Sequence, residues 1–160
     1  MVRWADAGDL PGLAAVEVAA DGLFEQVGIT FPAGTTMIEE VRDPSSVLVE
    51  GDPPAGFALL SRVDGNLHLE QLAVHPDRMR QGIGGRLIEA VLDHARAAGT
   101  PAVTLTTFRD VPWNAPWYER HGFVVWPEPS WGPELRALVA REREMGIEVA
   151  PRVAMAATLG

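Results

Sequence analysis

Residues 67–99 read LHLEQLAVHPDRMRQGIGGRLIEAVLDHARAAG, and the reading of this stretch decides the fold. Its first half alternates: Leu67, Leu69, Gln71 and Ala73 are predicted on one face of a strand, with His68, Glu70, Leu72 and Val74 on the other. His75-Pro76 closes the strand, because proline has no N–H to donate to a ladder. A turn rich in arginine and glycine follows, Arg78-Met79-Arg80-Gln81-Gly82-Ile83-Gly84-Gly85. Leu87, Ile88, Val91, Leu92 and Ala95 then recur at helical spacing, so a helix is predicted to run until Gly99 stops it.

Strand, glycine turn and helix together present free backbone N–H groups at the positive end of a helix dipole, where phosphate binds. Gly82, Gly84 and Gly85 leave room for an anion to approach the main chain. Arg78, Arg80 and Arg86 add local positive charge to a chain whose net charge is −9. The plainer reading is a tight connection with solvated arginines. A P-loop would need Lys-Ser or Lys-Thr where Arg86-Leu87 stand, and a dinucleotide fingerprint would need a glycine at Leu87.

Around this stretch, Val2–Trp4 is predicted as an edge strand and Asp9 as the cap of a helix from Pro11 to about Ala20. Asp21-Gly22 is expected to break that helix, with a short second helix at Leu23, Phe24 and Val27. Gly28 to Thr36 reads as loop and Met37 to Arg42 as a helical turn. Strands are predicted at Val47–Glu50 and Phe57–Val63, and Asp64-Gly65 forms the hairpin into the 67–74 strand. Ala102–Thr106 suits a buried strand parallel to 67–74, because a helix makes the crossover. Pro112 is expected at the first turn of a short helix ending at Gly122, followed by a strand at Phe123–Val125. A helix from Pro133 carries Leu135, Leu138, Val139 and Met145 on one side, and a last strand lies near Arg152. The predicted class is α/β with a mixed sheet, in one domain over residues 1–160.

Composition narrows the function classes. The chain has no cysteine, which excludes disulfides, thiolate metal sites and an enzyme-bound thioester. Its acidity argues against nucleic acid as a partner and favours a cationic substrate. No apolar run reaches the ~18 residues of a membrane span, and no secretory leader is evident, so the cytoplasm is the expected location. His75, His94 and His121 lack metal-ligand spacing, and no metal is expected.

Val74-x-Pro76, then Met79-Arg80-Gln81-Gly82-Ile83-Gly84 and Leu87, resembles the coenzyme A pyrophosphate loop of the GNAT superfamily of N-acetyltransferases. That loop begins with Arg or Gln, where this chain has Met79. A second segment, Asn114-Ala115-Pro116-Trp117-Tyr118-Glu119-Arg120-His121-Gly122-Phe123, is similar to a later GNAT motif with tyrosine four residues before Gly-Phe. The wording around it resembles a subgroup of bacterial members. Two motifs in order, about 35 residues apart, cover residues 2–126 well and the remainder loosely.

The resemblance implies a single-domain, mostly antiparallel mixed sheet with flanking helices and two central parallel strands splayed around the cofactor. It implies acetyl-CoA as cosubstrate and direct attack of a primary amine, of a small molecule or peptide, on the thioester. Leu72, Ala73 and Val74 would pair with the pantetheine arm through the main chain, and Val74 N–H would serve the oxyanion. Met79, Arg80, Gln81, Gly82, Ile83, Gly84 and Gly85 would hold the diphosphate. Asn114 would bond pantetheine or cap its own turn. Tyr118 is implied as general acid, and Glu70 or His68 as the base, with Glu70 the first candidate. Each has an ordinary alternative as a wet strand residue or a packed aromatic. Trp113, Trp117, Trp126 and Trp131 are read as packing, and Phe24, Phe31 and the 28–36 loop as lining the acceptor pocket by analogy. Arg109-Asp110 reads as a surface ion pair. Dimers are common in the family, so a homodimer is among the implied partners. The rival readings are an inactive coenzyme A-binding sensor and, more weakly, a nucleotide-binding protein.

Overall fold

Backbone geometry at one turn sets the register of the sheet's centre. The computed structural model describes residues 1–31 and 37–159. Asp64 and Gly65 both take left-handed backbone, with φ of 53° and 79°, which matches the twist of the strands they join. They connect β3 (Pro54–Val63) to β4 (Asn66–Val74) in antiparallel pairing. β3 begins earlier than the predicted Phe57. On its other side lie β2 (Val47–Gly51) and the edge strand β1 (Val2–Trp4).

Helix α2 (Ile83–Ala97) carries the chain from β4 to the parallel strand β5 (Ala102–Phe108). Two short elements follow, α3 (Ala115–Glu119) and β6 (Val124–Val125), and then α4 (Pro133–Glu144). The last strand, β7 (Arg152–Thr158), does not sit at an edge: it inserts between β5 and β6. Among the described residues seven strands form one sheet in the order β1-β2-β3-β4-β5-β7-β6. The predicted mixed, mostly antiparallel sheet with a central parallel pair is what the chain forms.

Each face of the sheet is closed by a helix, and the apolar side of α2 was legible in the sequence. Ile83, Leu87, Ile88, Val91, Leu92 and Ala95 of α2 are buried with Leu67, Leu69, Val103 and Leu105. On the opposite face α1 (Leu10–Asp21) packs Leu13 and Val16 on Val49, Phe57 and Ala73. α4 packs Leu135 and Leu138 on Val63 and Ala154. The hairpin turn also caps α4. Asp64 accepts from the N–H groups of Glu134 and Leu135 at 2.9 and 3.0 Å, satisfying donors the helix leaves open.

Four local expectations are corrected. The alternation of 67–74 is interrupted, because Leu59 pairs with Gln71 but Leu60 with Leu69, which leaves Glu70 as a bulge. Leu67 and Leu69 therefore face α2, whereas Ala73 faces α1. Asp9 precedes α1 but makes no capping bond; its carboxylate instead takes two bonds from Arg3, at 2.7 and 3.0 Å. α1 ends at Asp21 as expected, and the second short helix is a 3₁₀ helix over Gly22–Val27. Pro116, not Pro112, sits in the first turn of the short helix. Met145 is 52% exposed and does not join the apolar side of α4. The expected loop continues through residues 32–36, which lie outside the described residues.

The Arg3–Asp9 pair predicts a pH response. Bonds from Arg3 hold the Asp9 carboxyl down at about 2, from an ordinary 3.8. A depressed acid stabilises the folded state above its unfolded pKa and loses that contribution as pH falls through its folded value. Thermal melts from pH 5 to pH 2 should therefore lose part of their acid sensitivity between about 4 and 2 in Asp9→Asn.

Candidate active site

The site arises where β4 and β5 part. They pair only at Leu67↔Val103 and His68↔Thr104, so beyond His68 the edge of β4 facing β5 has no strand partner there. On the other edge His75 N–H donates to Ala55 C=O at 2.8 Å. Residues of an antiparallel pair alternate in the edge they address, so the main-chain groups of Leu72 and Val74 point toward the gap. Ala73 points back to β3.

A cleft of about 380 Å³ fills the gap. Its walls are Gln71–Val74 of β4, Arg78–Arg80 and Gly82–Gly85, the end of α1 with Leu23 and Phe24, and Trp113, Asn114, Trp117 and Tyr118. Gly82 has φ of 79°, and a Cβ there would also meet Arg86 Nη1 at 2.8 Å. As the residue before α2 it offers no side-chain cap, so the first amides of the helix are open to an anion. A Cβ on Gly84 would stand 3.4 Å from the Trp117 ring. Main chain and indole thus approach closely at the point where the helix begins. This cradle fits a diphosphate.

Charge at the loop is less than the sequence suggested. Arg86 is paired with Glu50 through two bonds of 2.6 Å and does not line the cleft. The guanidinium holds the Glu50 carboxyl below its usual range. Arg78 donates one N–H to Gln81 at 3.0 Å and, with Arg80, remains beside the cleft. Arg80 takes left-handed backbone at φ 63°, an uncommon conformation for a residue with a Cβ. Met79 also lines the cleft and is 42% exposed.

Tyr118 is almost enclosed between Trp117 and Phe123, with ring centroids 5.1 and 5.6 Å away. Burial raises its phenol well above the ordinary value, so it keeps its proton throughout the working pH range. Asn114 precedes α3 without capping it, and its side chain lines the cleft.

Glu70 and His68 are placed differently. The bulge sets the Glu70 carboxylate on Ser61, whose hydroxyl donates at 2.6 Å. His68 is 1% exposed, hydrogen-bonded through Nδ1 to Thr104 at 2.8 Å, and burial lowers its pKa, so it is neutral at pH 7. Neither is among the residues lining the cleft. Gln71 and Asp21 are, and sequence pattern gave no sign of either. Of the four tryptophans read as packing, Trp113 and Trp117 face the cleft, whereas Trp131 donates to the Trp126 carbonyl at 2.7 Å. Phe24 lines the cleft as expected; Phe31 packs on Phe24, at 5.1 Å between centroids. Arg109 and Asp110 form an exposed ion pair at 2.9 Å.

Residues 21–123 match the model of the acetyltransferase (GNAT) family. The chain belongs to the GNAT family. The match spans β2 to α3 and so includes both halves of the cleft. Acetyl-CoA is the acetyl donor of GNAT enzymes.

Solved structures share the fold. N-acetylglutamate synthase from Neisseria gonorrhoeae, complexed with coenzyme A and N-acetyl-glutamate, matches 100% of this chain at 22% identity and TM-score 0.70. The chain spans 35% of that longer protein. The ribosomal-protein-S18-alanine N-acetyltransferase of Escherichia coli matches at 20% identity and TM-score 0.67, over 100% of this chain and 94% of its own. A GNAT-family acetyltransferase from Staphylococcus aureus Mu50 gives TM-score 0.73 at 12% identity, over 100% and 99%. Among the described residues no group of three or more acidic or histidine side chains could hold a metal ion. Nor is any described helix long and apolar enough to cross a membrane.

Proposed function

We propose that this GNAT chain is an N-acetyltransferase that moves an acetyl group from acetyl-CoA directly to a primary amine of a small molecule or peptide. The observation that carries the reading is the cleft itself. One passage joins uncapped helix amides, the unpaired edge of β4 and a protonated phenol.

The donor supplies an acetyl thioester, whose C–S bond breaks as the C–N bond to the amine forms. Gly82–Gly85 amides with Arg78 and Arg80 hold the diphosphate, and Leu72, Val74 and Asn114 align the pantetheine arm, whereas the main chain of Ala73, expected to join them, is turned to β3. Val74 N–H stabilises the oxyanion. An alkylamine titrates near 10.4 and must lose a proton to attack. Glu70 takes that proton through water, since its carboxylate is only partly enclosed, and His68 positions the strand through Thr104. Tyr118 gives a proton to the departing sulfur, and the second proton that the nitrogen sheds on becoming an amide restores the phenol.

The rival is a coenzyme A-binding sensor without turnover, favoured by the lack of Glu70 and His68 among the residues lining the cleft. Calorimetry should give tighter binding of acetyl-CoA than of ATP or NAD, and the reverse order ends the acetyl-transfer reading. With no cysteine in the protein, coenzyme A released from a panel of amines can be followed by a thiol reagent against almost no background. Release with any amine excludes the sensor.

Met79 tests how the diphosphate is held. Main-chain amides supply most of the grip, so Met79→Arg should change the acetyl-CoA Kd less than about tenfold. A hundredfold change by calorimetry would mean that side-chain charge, not backbone, does the holding.

A further inference from the structure

The cleft is chemically polarised. On the α2 and α3 side stand Arg78, Arg80 and the open amides at Gly82–Gly85. On the α1 side the wall is made by Asp21, Leu23 and Phe24, with Gln71 and Trp113. Gln71 shares a strand face with Ala73, which packs on α1. A ligand that enters from this side meets both a carboxylate and aromatic surface.

Asp21 is an odd residue to find there for structural reasons alone. It ends α1, where the dipole's negative pole disfavours a carboxylate. Burial and the nearby Glu17 raise its pKa to about 6. Glu17 is already committed, accepting from the N–H groups of Met37 and Ile38 at 2.8 and 2.9 Å. Among the described residues no cation pairs with Asp21. Gln71 adds a second acceptor, its Oε1 buried and without a hydrogen-bond partner, a state that an incoming N–H would relieve.

We infer that Asp21 binds the ammonium group of the acceptor, and that the acceptor is a primary amine with an apolar or aromatic body and no carboxylate beside the nitrogen. Phe24 and Trp113, with ring centroids 5.5 Å apart, receive the body. Among the cleft-lining residues the only cations are Arg78 and Arg80, which belong to the cofactor's end. An α-carboxylate on the α1 side would face Asp21 with nothing to neutralise it. This inference rests on acetyl transfer as proposed above.

The test compares phenethylamine with phenylalanine, which share a body and differ by that carboxylate. Coenzyme A release is measured at saturating acetyl-CoA, and acetyl-CoA Kd is measured in parallel by calorimetry. The parent should favour phenethylamine in kcat/KM by about a hundredfold or more. Asp21→Asn should raise the KM for phenethylamine by about tenfold or more, with little change in kcat or in acetyl-CoA Kd. Phenylalanine should be no worse in the variant, so the ratio collapses. Asp21→Glu should restore part of the preference, which a merely structural role would not predict. Asp21→Asn also removes a like charge beside Glu17, so the variant should melt no lower than the parent. Equal kcat/KM for the two acceptors in the parent, or an equal loss for both in Asp21→Asn, overturns the inference. So does tight acetyl-CoA binding with no release from phenethylamine, which leaves acetyl transfer to other acceptors standing. Failure of acetyl-CoA to bind overturns the proposed function itself.

Discussion

Tyr118→Phe should lower kcat by about a hundredfold while acetyl-CoA Kd stays within about twofold. The phenol is nearly enclosed, and burial keeps it protonated well beyond neutral pH. It makes no side-chain hydrogen bond among the described residues, so the hydroxyl has no structural duty that the mutation would remove. The ring's contacts with Trp117 and Phe123 survive in phenylalanine. A loss confined to turnover is therefore the signature of a proton donor. Single-turnover measurement with acetyl-CoA at saturation reads it directly. A fully active variant would take Tyr118 out of the chemistry, and a matching loss of binding would make it a wall of the cleft.

Leu87→Ala should cost about 2–5 kcal/mol, the range for truncating a fully buried leucine. With total stability of order 5–15 kcal/mol this is a large fraction, and the melting midpoint should fall by about 10 °C. Leu87 is 0% exposed on α2. It reaches Gly56 of β3 so closely that a Cβ there would stand 3.2 Å from Leu87 Cδ1 and 2.9 Å from Ile83 Cγ2. This contact anchors the first turn of α2 against the sheet. The loop amides depend on that anchor, so acetyl-CoA should also bind more weakly. Denaturant melts and calorimetry on the same variant separate the two effects. A midpoint within 2 °C of the parent would mean that the helix is held elsewhere.

The elements read correctly from sequence are those whose cause is local. The Asp64-Gly65 turn needs only two residues that tolerate positive φ, and the face of α2 needs only the 3.6 period. Gly82 before a helix with no capping side chain is equally local, which is why the glycine loop and its open helix amides were visible before any coordinates. The misses at the candidate site involve partners distant in the chain. Glu70 becomes a bulge because of how β3 pairs, and the strand's own pattern holds no trace of it. Arg86 looked like part of a phosphate site until Glu50, 36 residues away, claimed it. β7 enters the sheet between β5 and β6 because hydrogen-bond partners are available there, and sequence order says nothing about that.

From sequence alone the α/β class, the strand–loop–helix unit and the two family motifs could be recognised, because propensity, periodicity and glycine geometry act within a few residues of chain. Folding in three dimensions assigned the side chains. It kept Glu70 and His68 off the cleft wall, paired Arg86 with Glu50, and placed Asp21 and Gln71 in the lining of one cleft. Electrostatics and burial depend on which surfaces meet, and only packing establishes that.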